Sequence, residues 1–216
     1  MAPFPAPWHL TGSGLVVLFR VSRAEGLARE LVPPHLRTRF RGGFSALMAV
    51  DYVQSEAGPY RELLFIPGHF DFGGRSLYSI TRIFVSTSQS VAGGRANWGI
   101  PKELADFEAS RSGHSLTFEA RVAGKSALRL AARAGRLSFP IHSALYPFPL
   151  AHELDGRTFY TRLTASGWAR RARLETLVGD GTLFPRLEGL APFAAVSVDP
   201  FRMTFHPARV EPRSAA

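Results

Sequence analysis

The sequence predicts a mainly β fold of the α+β kind, a barrel or sandwich, formed by residues 1–216 as a single domain. Three observations carry this. Short β-branched and aromatic runs recur, with Gly or Pro turn signals every ~8–12 residues. The run Ser115 to Val122 alternates apolar and polar side chains, as a half-buried antiparallel strand does. Only one segment carries convincing helix signals.

Taken in order, Ser13 to Val21 is rich in β-branched residues and reads as a strand. Ser22-Arg23-Ala24-Glu25 is a capping-box pattern. Leu27, Ala28 and Leu31 follow at helical spacing until Pro33-Pro34 stops the helix. Gly42-Gly43, Gly58-Pro59 and Pro67-Gly68 mark turns around two strands, Phe44 to Val53 and Tyr60 to Ile66. Ser76 to Thr87 is the longest β-like run. Ser88 to Trp98, small and polar, fits a short helix or a loop.

Leu104 to Ser110, Ser115 to Ala123 and Ala127 to Ala134 read as strands separated at Gly113 and Gly124. Pro140 to Pro149 is a connector. Alternation resumes over Arg157 to Thr176, and Phe193 to Phe205 gives a last strand or two, broken by Pro200. Ser214 to Ala216 is a frayed tail.

Composition excludes several function classes. No cysteine is present, which removes disulfides, thiol catalysis and thiolate metal sites, and suits a cytoplasmic location. No apolar run approaches the ~20 residues that span a bilayer. Met1 to Trp8 lacks the pattern of a signal peptide. No membrane partner is therefore expected. The net charge of +9 comes from arginines scattered singly, with one dense cluster at Arg170, Arg171 and Arg173. No groove-reading element accompanies them, so nucleic acid is not an expected partner. The charge keeps the protein soluble and favours anionic small molecules.

His69-Phe70-Asp71, or His142 with His152, lacks ligand spacing, and no metal is expected. Ser45, Ser76 and Ser86 lie in no nucleophile-elbow context.

Lysine is the informative residue. Two occur, Lys102 and Lys125, against twenty-four arginines. A lysine is most often a solvated surface charge. Unlike arginine, it can also lose its proton and attack a carbonyl to form a Schiff base. Lys102 lies in Gly93-Gly94-Arg95-Ala96-Asn97-Trp98-Gly99-Ile100-Pro101-Lys102-Glu103. Upstream stands Gly58-Pro59-Tyr60-Arg61-Glu62. Tyr60 and Glu62, two apart in a strand, share a face. They are either a solvated barrel edge or a proton-handling pair.

Gly-Pro-Tyr-x-Glu followed some forty residues later by Gly94-Arg95, five residues and Pro101-Lys102 resembles the acetoacetate decarboxylase family. Leu27 to Leu36 also resembles that family's helix ending in Val-Pro-x-x-Leu. The likeness covers about residues 15 to 125. It implies a closed or cone-like barrel of mostly antiparallel strands with one or two short helices, and a homo-oligomer.

The resemblance also implies a lyase that uses Lys102 as a Schiff-base amine on a small keto acid. Glu62 would be general acid and base, with Tyr60 orienting it. Arg95 would bias the pocket and hold a carboxylate, and Trp98 would line it. The reaction is decarboxylation of a β-keto acid, or aldol condensation with dehydration. It needs no cofactor, because the iminium is the electron sink. The first step needs a neutral amine, which burial or a nearby cation supplies.

The chain departs from the family pattern in three places. The second lysine is replaced by Glu103, which is compatible with the chemistry if it points away from Lys102. The family's acidic residue on the preceding strand falls near Ala46 or Leu47, and its N-terminal arginine near Gly12. These losses leave one alternative, a non-catalytic module binding a small anionic or apolar ligand; the net charge of +9 leaves a second, less favoured one, a basic nucleic-acid-binding domain.

Overall fold

The computed structural model describes residues 4–23, 29–144 and 148–212. Among these residues fifteen strands form one sheet. They are β1 (Trp8–Val21), β2 (Phe40–Gln54), β3 (Tyr60–Ile66), β4 (His69–Phe72), β5 (Arg75–Tyr78), β6 (Arg82–Val85), β7 (Glu103–Leu104), β8 (Asp106–Ser112), β9 (Ser115–Val122), β10 (Lys125–His142), β11 (Leu150–Leu154), β12 (Arg157–Thr161), β13 (Leu163–Gly179), β14 (Pro192–Phe205) and β15 (Arg209–Pro212). The helix α1 (Ser88–Trp98) and a 3-10 turn at Pro34–Arg39 join them.

The sheet runs β15-β12-β11-β5-β4-β2-β1-β14-β13-β10-β9-β8, with β3 on β2, β6 on β3 and β7 on β6. All pairs are antiparallel except β6 with β7 and β5 with β11. The architecture is mainly β, as expected. The outer strands β15 and β8 do not pair with each other, so hydrogen bonds do not close the barrel among the described residues.

The alternation of β3 divides the interior in two. Tyr60, Leu64 and Ile66 join one apolar cluster with Trp8, Trp98 and Ile100. Leu63 and Phe65, on the opposite face, join a second cluster with Val17, Phe19 and Phe84. Both faces of this strand are therefore covered, and Glu62 is carried inward with its neighbours.

Several boundaries differ from the expected ones. Ser76 to Thr87 is not one strand but β5 and β6 with a break between them. There the Ile80 N–H donates to His152 Nε2 and the Thr81 N–H to the Phe65 carbonyl, so these amides leave the ladder. β10 runs on to His142, because β13 supplies a partner as far as Ser166. Pro200 does not end β14. Asp199 and Pro200 fall between paired positions on both sides, opposite Ser13 and Trp168, so the proline sits in a bulge where no ladder N–H is needed. Of the expected first helix, residues 24–28 lie outside the described residues, while 29–31 are helical and stop before Pro33. The expected tail at Ser214 to Ala216 also lies outside them.

Candidate active site

The segment from Thr87 to Leu104 builds the site. Thr87 caps α1, its hydroxyl accepting from the Ser90 N–H at 3.3 Å. Gly99 ends the helix in the left-handed region at φ 62°, with Gly99 N–H on the Arg95 carbonyl and Ile100 N–H on the Gly94 carbonyl. A Cβ at Gly99 would lie 2.5 Å from the Phe159 ring, so close packing as well as φ selects glycine. The Lys102 N–H then bonds the Ile100 carbonyl at 2.8 Å, a three-residue turn centred on Pro101, whose fixed φ suits it. This turn aims Lys102 inward before β7 pairs with β6.

Lys102 is buried at 4% exposure and Glu62 at 3%. Lys102 Nζ donates to Glu62 Oε2 at 2.7 Å, to Ser90 Oγ at 3.0 Å and to the Tyr60 hydroxyl at 3.4 Å. The other Glu62 oxygen, Oε1, accepts from the Tyr52 hydroxyl at 3.1 Å. Burial, with the Glu62 charge beside them, raises both tyrosine pKa values well above the ordinary phenol value. Tyr52 and Tyr60 are therefore neutral phenols at physiological pH, and Tyr52 is a fixed donor to the carboxylate. The Lys102 ammonium also lies 4.9 Å from the Tyr60 ring centroid and 5.9 Å from that of Trp8.

An apolar cavity of about 260 Å³ opens on this cluster. Among the described residues that line it, Lys102 is the one cation and Glu62 the one anion. Trp98 lies in its wall, packed edge-on against Trp8 at 5.0 Å between ring centroids. The Trp98 indole N–H is satisfied by the His206 carbonyl at 2.8 Å. Asn97 helps place Trp8: its amide donates to the Phe4 carbonyl and accepts from the Ala6 N–H, tying the N-terminal segment to α1.

Of the residues marked out by sequence, Tyr60, Glu62, Trp98 and Lys102 come together here. Arg95 does not: it lies on the exposed face of α1 and does not line the cavity. Spacing along the motif could not show this, because helix phase turns residue 95 outward while residue 94 faces the lysine. Glu103 points to solvent, where Arg82 pairs with it at 3.1 Å.

Sequence reading missed Tyr52 and Ser90. Tyr52 is opposite Tyr60 in the β2–β3 register, so pairing the two runs across the Gly58-Pro59 turn would have found it. Ser90 stands four residues before Gly94, and a helical reading of 88–98 puts both on one face. Elsewhere, His69 packs on Tyr78 and Asp71 pairs with Arg41. Among the described residues no three His, Asp or Glu side chains come together as a metal site. No helix of these residues is long and apolar enough to cross a membrane.

The arrangement can shuttle a proton between a carboxylate and an amine, out of water, at the wall of an apolar chamber. Comparison with known proteins bears on the family and the fold. The family model for acetoacetate decarboxylase matches residues 1–205. No curated protein matches the chain by sequence. An acetoacetate decarboxylase from Legionella pneumophila superposes with a TM-score of 0.69 at 15% identity, over 98% of this chain and 90% of that one. The enduracididine biosynthesis enzyme MppR, in complex with the condensation product of pyruvate and imidazole 4-carboxaldehyde, gives 0.68 at 21% identity, over 98% and 91%. An acetoacetate decarboxylase-like enzyme from Sphingomonas wittichii gives 0.63 at 16% identity, over 97% and 94%. With its fold, its buried lysine–glutamate pair and the family match over nearly its whole length, this chain belongs to the acetoacetate decarboxylase family.

Proposed function

We propose that the protein is a lyase in which Lys102 forms a Schiff base with a keto acid. The observation that carries this is the contact of a buried lysine amine with a buried carboxylate at 2.7 Å, on the wall of an apolar cavity. Lysine in such a place serves as a nucleophile once its proton is removed, and Glu62 is within reach to take it.

Glu62 accepts a proton from Lys102. The freed amine adds to the keto carbon, and the carbonyl oxygen leaves as water, giving a cationic iminium. With a β-keto acid, the carbon–carboxylate bond breaks, carbon dioxide departs, and its electron pair forms an enamine. Glu62, having given its proton to the departing water, takes up one from solvent and delivers it to the enamine carbon; addition of water to the resulting iminium then releases a ketone and restores the Lys102 ammonium. With a pyruvate-like acid, the enamine formed by proton loss attacks an aldehyde instead, and water is then eliminated. Neither route needs a cofactor. Tyr52 holds Glu62 in place, and Ser90 and Tyr60 fix the amine.

Borohydride reduction in the presence of a keto-acid panel, followed by peptide mass spectrometry, tests this. A reduced adduct on Lys102 is expected. Its absence with every keto acid would remove the reading.

A second reading is favoured by one observation, the position of Arg95 outside the cavity, which leaves a carboxylate no arginine partner there among the described residues. In that case the cavity binds a small ligand without turnover. Saturable binding unchanged in Lys102→Met, together with no adduct, would support it.

A further inference from the structure

We infer that the substrate carries an apolar arm, an alkyl chain of about five carbons or an aromatic ring, on its carbonyl carbon. The inference deepens the Schiff-base reading and rests on it only for the reacting end of the molecule. Sheet register shows where the arm goes. Val50 pairs with Glu62, and Gly14 pairs with Val50, so these residues form one row across the sheet at the level of the carboxylate. The next inward-facing row is Val16, Met48, Leu64 and Ile83, joined by direct pairing from strand to strand. All four line the cavity. Ile66, one step further along β3, lines it too.

Successive inward residues of a strand are about 6.6–6.8 Å apart. The chamber therefore extends one to two such steps beyond Glu62 along a wall with no polar side chain. A short keto acid placed against Lys102 would leave this stretch unfilled. An apolar cavity of roughly 150 Å³ takes up benzene, whereas this one, at about 260 Å³, has room for a carbonyl group and an arm. Burying the arm would exclude water from the iminium and give binding energy remote from the reacting carbon.

Two measurements test this. In the first, borohydride trapping compares 3-oxooctanoate with acetoacetate at equal concentration. The longer acid should label Lys102 at least tenfold faster, and equal labelling would overturn the inference while leaving Schiff-base chemistry standing. In the second, tryptophan fluorescence follows titration with 2-heptanone and with acetone, in the native protein and in Lys102→Met, where no Schiff base can form. Heptanone should bind at least tenfold more tightly in both. Affinities within twofold would overturn the inference whatever the outcome of trapping. Filling the arm with Met48→Phe or Leu64→Phe should shrink the heptanone-to-acetone ratio at least fivefold. An unchanged ratio in both folded variants would place the ligand elsewhere.

Discussion

Gly94 faces the shaft of Lys102 so closely that a Cβ there would lie 2.6 Å from Cδ and 2.7 Å from Cε. The glycine of the Gly-Arg pair is thus a packing requirement of the lysine eight residues later. The helix approaches the lysine stem through a residue with no side chain. Gly94 has no positive φ, so conformation does not demand glycine here; space does.

Gly94→Ala should therefore push Lys102 away from Glu62. Overpacking of this kind costs about 1–3 kcal/mol. The variant should fold with a lower urea midpoint and lose at least tenfold in the rate of borohydride trapping. Trapping at the native rate would show that the lysine does not need its present position.

The Lys102–Glu62 pair should be asymmetric under mutation. Glu62→Leu leaves a buried ammonium without its carboxylate and should destabilise by about 3–5 kcal/mol. Joining it with Lys102→Met removes both charges and should recover most of that loss. Urea unfolding of the two single variants and the double variant gives the coupling. Additive losses would mean the charges do not sense each other.

Glu103 should be silent. It pairs with Arg82 at the surface, and exposed pairs of this kind are worth about 0–1 kcal/mol. Glu103→Ala should change the rate of Lys102 trapping less than twofold. A larger effect would mean that its charge reaches the cavity.

His152 should make stability depend on pH. It is fully buried, and burial pushes its pKa down to about 3. Nε2 accepts the Ile80 N–H, so the ring proton resides on Nδ1, which has no hydrogen-bond partner among the described residues. The unfolded chain takes up a proton near pH 6.5 and the folded chain does not. Stability is thus full above pH 6.5 and declines as pH falls from there toward 3. Between pH 7 and pH 5 the loss should be about 2 kcal/mol. His69, also shifted downward by burial, adds a loss of the same sign. Comparing urea unfolding of the native protein and His152→Leu over that range isolates the His152 share. Equal slopes would contradict it.

How far the fold was legible depended on which interactions set each element. β3 and β9 were read nearly to the residue, because alternation and turn residues fix them locally. β10 was read eight residues too short at its C-terminal end, since its far half is held by pairing with a strand some thirty residues away. The break between β5 and β6 was invisible because the group that diverts Ile80 is His152, seventy-two positions on.

The chain alone determined the alternating strands and the shared face of Tyr60 and Glu62, because each follows from local backbone geometry. Tertiary structure alone decided that Lys102 meets Glu62 and Ser90, that Tyr52 completes the carboxylate's bonds, that Arg95 faces solvent and that the chamber extends past Leu64. Those outcomes rest on helix phase and on register between distant strands. A one-residue slip in either would turn the same side chains to the opposite face.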